Sequence, residues 1–145
     1  MASSYVVSWA GLFGGPEKSE TIEITYVITT HTDGTITAIS TDTDKIADGR
    51  TYTELIRGRS FRMIEVFPTV GGTAPDAGAV TVKDSDGLDL LGGNGATLIH
   101  ATAKQVQYPL IDDLGSTIAV RGALSTDISG EDAKTIHLTI RLIFE

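Results

Sequence analysis

Two segments alternate apolar and polar residues with a period of two. From Glu20 to Thr30, Ile22, Ile24, Tyr26 and Ile28 alternate with Thr21, Glu23, Thr25 and Thr29. From Thr135 to Phe144, Ile136, Leu138, Ile140, Leu142 and Phe144 alternate with Thr135, His137, Thr139 and Arg141. Successive strand side chains point to opposite faces, so each segment predicts a strand with one buried and one wet face. Tyr5–Trp9 predicts a shorter first strand, and Val80 and Val82 mark another near 79–84. Ser60–Phe67 carries Phe61, Met63, Ile64, Val66 and Phe67, apolar on both faces, and predicts a strand buried on both sides or at an interface. Residues 117–128 alternate through Ile118, Val120, Leu124 and Ile128, with Gly122 marking a bulge or bend.

Turn chemistry separates these segments. Asp33-Gly34 predicts a hairpin, with a return strand over 35–40. Thr51 with Glu54 three residues later has a capping-box spacing, and Gly58 could stop a single helical turn; a strand over the same residues suits the composition equally well. Leu98–Ala103 predicts a further short strand. Asp84-Ser85-Asp86-Gly87 is a turn, followed by Leu88, Leu90, Leu91 and the Gly92-Gly93-Asn94-Gly95 run. Three leucines in so short a connection predict a loop packed on the protein.

Composition supports an all-β chain. Thr, Ile and Val fill 44 of the 145 positions, and such β-branched residues pack well on pleated surfaces. Gly occupies 16 positions, about 11% against a typical ~7%, as many turns require. The expectation is one domain over residues 1–145, an all-β sandwich or jelly roll with at most one short helix.

Charge and motifs narrow the function. The net charge of −8 opposes nucleic-acid binding, because phosphate contacts need Lys and Arg. Arg57, Arg59 and Arg62 form the one basic cluster, which reads as a solvated or paired strand end. No apolar run approaches the ~18–20 residues that span a bilayer, and Met1–Tyr5 lacks the basic start of a signal peptide. There is no cysteine, which fits folding in a reducing cytosol. Asp84-x-Asp86 begins like a calcium loop, but Asp89 and Gly95 stand where that loop needs Gly and Glu. Asp42-x-Asp44 fails likewise, with Ala47 and Thr53 at those places. The glycine run is followed by no Gly-Lys-Ser/Thr, and GxSxG and HExxH are missing. His31, His100 and His137 have no zinc-ligand spacing, His31 and His137 read as turn-capping or solvated, and Asp112-Asp113 reads as a turn. Trp9 reads as core or interface. The expectation is a non-enzyme with no catalytic, cofactor-binding or metal-binding residues.

Phe61-Arg62-Met63-Ile64-Glu65-Val66-Phe67-Pro68, the run Val80–Gly95, Ile118-Ala119-Val120-Arg121-Gly122-Ala123-Leu124 and the closing alternating strand resemble small virion proteins encoded near the head genes of tailed bacteriophages. The likeness covers roughly residues 60–144, and its motifs are structural rather than catalytic. It implies a capsid cement or decoration protein with a single-domain, jelly-roll-like β-sandwich, made in the host cytoplasm, that binds the outer surface of the assembled head. The implied partners are the major capsid protein and copies of the chain itself, a dimer before a trimer. Two alternatives remain: a tail- or fibre-associated virion protein, and a carbohydrate-binding β-sandwich module, for which Tyr52 and Tyr108 are the best exposed aromatic candidates.

Overall fold

A computed structural model of the 145-residue chain describes residues 3–13, 20–111, 114–115, 117–130 and 134–145. The chain is all-β, with antiparallel sheets and one short α-helix. In chain order the strands are β1 (Ser4–Phe13), β2 (Glu20–Thr29), β3 (Ile39–Ser40), β4 (Ser60–Pro68), β5 (Ala79–Lys83), β6 (Gln105–Gln107), β7 (Leu110–Ile111), β8 (Leu114–Gly115), β9 (Ile118–Ala119), β10 (Ser125–Ser129) and β11 (His137–Phe144). Helix α1 spans Tyr52–Ile56, and a 3₁₀ turn spans Asn94–Thr97.

The large sheet runs β1-β2-β11-β4-β6, with β9 also pairing with β4. A small sheet, β3-β10-β5, packs across it, and β7 and β8 form a separate hairpin. The alternation read from β2 and β11 decides which face is inside. Ile24, Leu142 and Ile64 are cross-strand partners, as are Tyr26, Ile140 and Val66, and all six are buried. Val80, Val82, Ile128 and Ile39 of the small sheet close the same core. Phe61 and Phe144 stack with ring centroids 5.5 Å apart at one end.

Buried threonines join the layers. Thr41 and Thr53 share a hydroxyl–hydroxyl bond of 2.7 Å, and Thr41 Oγ1 also accepts the Leu124 N–H at 2.9 Å. Thr30 Oγ1 accepts the Ile136 N–H at 2.9 Å. Each pairs a backbone or hydroxyl group that burial would otherwise leave without a partner, at a cost of ~1–3 kcal/mol.

Several expectations are corrected. The chain turns at Asp33-Gly34, but residues 35–38 form no strand, and only Ile39–Ser40 pairs, with β10 in the small sheet. Both edges of β2 are already occupied by β1 and β11, so a return strand has no place beside it. Strand β1 extends to Phe13, well past Trp9. Leu98–Ala103 contributes only a single bridge, Ile99 to Gly78. The 117–128 segment divides into β9 and β10, with the break around Gly122. The residues of the capping box form the helix: the Thr51 hydroxyl accepts the Glu54 N–H, and the Glu54 carboxylate accepts the Thr51 N–H. Asp112-Asp113 lies outside the described residues.

The leucine loop is packed, except at its tip. The Asp84 carboxylate accepts the Asp86 and Leu88 N–H groups, both at 2.9 Å, which closes a tight turn and leaves Leu88 57% exposed. The chain then returns along β5, where the Leu90 N–H donates to the Val82 carbonyl at 2.8 Å, and Leu90 and Leu91 enter the core.

Candidate interaction surface

The outer face of the large sheet is built from the residues out of phase with the core. Cross-strand register places Val6, Val27, Thr139 and Phe67 in one row. Ser8, Thr25, Arg141, Glu65 and Val106 form the next, and Ala10, Glu23, Ile143 and Met63 a third. Val6, Val27 and Val106 are exposed, whereas Thr139 and Ile143 are covered by their neighbours. The result is a broad, shallow surface of mixed polarity.

A compact ion cluster lies in its middle. Glu65 is only 9% exposed. Its carboxylate pairs with Arg141 Nη1 at 3.3 Å and with Lys104 Nζ. Both cations also lie 5.4 Å from the centroid of the Phe67 ring, where the negative ring face attracts them. Burial by itself would raise the Glu65 pKa. The hydrogen bonds and charges of Lys104 and Arg141 outweigh it and hold the carboxyl below its ordinary value. Arg141 Nε also lies 4.0 Å from the Glu23 carboxylate, so two acids face two bases, and the cluster is a fixed, neutralised part of the surface rather than a poised acid.

Several other titratable groups brace the fold. The Tyr5 hydroxyl donates to Asp44 at 2.5 Å, in a groove of about 440 Å³ lined by Ser3, Tyr5, Ile28, Ile36, Ile39 and Asp44. Burial, then the Asp44 hydrogen bond and charge, push the Tyr5 pKa up to about 12. It therefore stays a neutral donor at physiological pH. His31 Nδ1 accepts the Ser3 N–H at 3.0 Å, and His100 Nδ1 accepts the Thr102 and Ala103 N–H groups. His137 is half-buried rather than solvated: its Nδ1 accepts the Thr73 N–H at 2.9 Å. Asp89 accepts the Leu91 and Gly93 N–H groups. Among the described residues, no three His, Asp or Glu gather as metal ligands, and no helix is long and apolar enough to cross a membrane.

Of the cationic cluster, Arg62 pairs with Glu145 at 3.0 Å, and Arg57 is exposed. Trp9 lies at the sheet edge, 41% exposed. Tyr108 is exposed, but Tyr52 is buried in α1, so the two tyrosines do not form an aromatic platform. Sequence reasoning missed the Glu65–Lys104–Phe67–Arg141 cluster. Its one signal was a lone Glu in an apolar strand; the partners become visible only once register places Arg141 opposite it.

No family model, curated protein or solved structure matches the chain.

Proposed function

We propose that this chain is a phage virion structural protein, a capsid cement or decoration protein that binds the outside of an assembled head and stabilises it without doing chemistry. The observation that carries the reading is the broad outer face of the large sheet, with exposed valines around an ion cluster in which Glu65 and Glu23 balance Lys104 and Arg141. Such a face suits docking on another wide surface, where apolar contacts give affinity and few unpaired charges must be stripped of water. The resemblance over residues 60–144 supplies the kind of surface. Cementing also needs little affinity per copy, because many copies on one lattice act together. The burial of Tyr52 weakens the carbohydrate-binding alternative.

The test is protein composition of purified phage particles separated into heads and tails. The reading expects the chain in heads, in a fixed ratio to the major capsid protein. Recovery in tails alone supports the tail- or fibre-associated reading, and absence from particles defeats both.

A further inference from the structure

We infer that β1 is a strand-pairing edge for a second copy of this chain, joining two large sheets into one antiparallel sheet. Strand β1 ends the sheet order, and its ten residues pair with β2 without a break. Its far side therefore presents, over about 34 Å, a row of N–H and C=O groups with no strand beside it among the described residues.

The other edges are closed or short. The β5 edge is covered by the chain's own return loop, through the Lys83–Asp89 and Gly78–Ile99 bridges. Strands β6, β9 and β3 are three, two and two residues long. Proteins commonly guard a long edge with Lys, Pro or a bulge. Strand β1, Ser-Tyr-Val-Val-Ser-Trp-Ala-Gly-Leu-Phe, has none of these and no charged residue of any kind.

The lack of charge selects the occupant. In a twofold contact each residue meets the same patch of its mate, so a charge on the edge would confront its own copy. Each copy carries −8 overall, and a neutral strip is where two such molecules approach with least repulsion. A partner of opposite charge would instead be matched by acidic residues along the edge. The twofold axis of an antiparallel pair stands perpendicular to the sheet, so the outer faces of both copies lie on one side. Val6 and Val27 of each copy then flank the seam and make one continuous surface.

The test uses the free protein, so it stands apart from head binding. Sedimentation velocity over a dilution series should give twice the 15.3 kDa chain mass at hundreds of micromolar, falling to the monomer on dilution. Val6 and Ser8 are exposed, and Val6→Glu with Ser8→Glu should keep the parent circular dichroism while weakening self-association by roughly 100-fold. Mixing it with a Val6→Lys, Ser8→Lys protein should restore pairing. In the unmutated protein, alternate β1 amides should exchange more slowly as concentration rises. A parent that stays monomeric throughout, or a dimer indifferent to the glutamates, overturns the inference. So do β1 amides protected only when bare heads are added, which would give the edge to the shell protein. If the parent stays monomeric and still binds heads, this inference fails and the decoration reading survives.

Discussion

Replacing Leu91 by Ala should destabilise the protein far more than replacing Leu88, three positions away. Leu91 is fully buried and Leu88 is 57% exposed. Truncating a buried leucine loses the transfer energy of the deleted carbons and leaves a cavity, together ~2–5 kcal/mol. Leu91 abuts the rigid Gly95 turn beneath β5, which leaves little freedom to collapse, so ~3 kcal/mol is a fair central value. For a chain of this length that lowers the melting temperature by roughly 6–12 °C, at ~2–4 °C per kcal/mol. Leu90→Ala should behave similarly, since Leu90 is 1% exposed. Leu88→Ala removes mostly solvated carbon and should stay within ~0.5 kcal/mol. Urea and thermal unfolding followed by circular dichroism measure all three. Equal losses at Leu88 and Leu91, or a loss below ~1 kcal/mol at Leu91, would refute the packing of this loop.

Other substitutions probe other parts of the fold. A Cβ on Gly95 would collide with the Val80 carbonyl oxygen, so Gly95→Ala should cost at least ~1–3 kcal/mol in the same unfolding assay. Thr51→Ala removes the helix cap and should cost ~1 kcal/mol, again read from urea midpoints. The folded-state pKa of Glu65 lies below its ordinary value, so its ion pairs contribute stability above the unfolded pKa of ~4.3, and that contribution is lost as pH falls through the folded value. Glu65→Gln should therefore flatten the fall in melting temperature at acid pH; an unchanged slope would show that the carboxylate is not ion-paired in solution.

Local chemistry was legible in the sequence where it acts over a few residues. The alternation of β2 and β11, the Thr51 capping box and the Asp84 turn each appear in the structure. Long-range pairing was not legible. The residues after Gly34 look like a hairpin partner, but β11, from the far end of the chain, already occupies that side of β2. Tyr52 reads as exposed, yet the helix turns it into the core. Leu88, Leu90 and Leu91 are chemically alike, and only the reversal of the chain at Asp84 separates the exposed one from the buried pair. On the surface, Glu65 and Arg141 lie 76 residues apart and meet only through strand register.

The central claim, that this chain is a head-stabilising decoration protein, is tested most directly by adding purified protein to bare expanded heads. Bound copies would be counted after sedimentation, and the release of packaged DNA would be followed on heating. The account predicts saturation at a fixed number of copies per head, a higher rupture temperature, and weaker binding to unexpanded procapsids. No saturable binding, or heads that rupture at the same temperature with and without the protein, would contradict it.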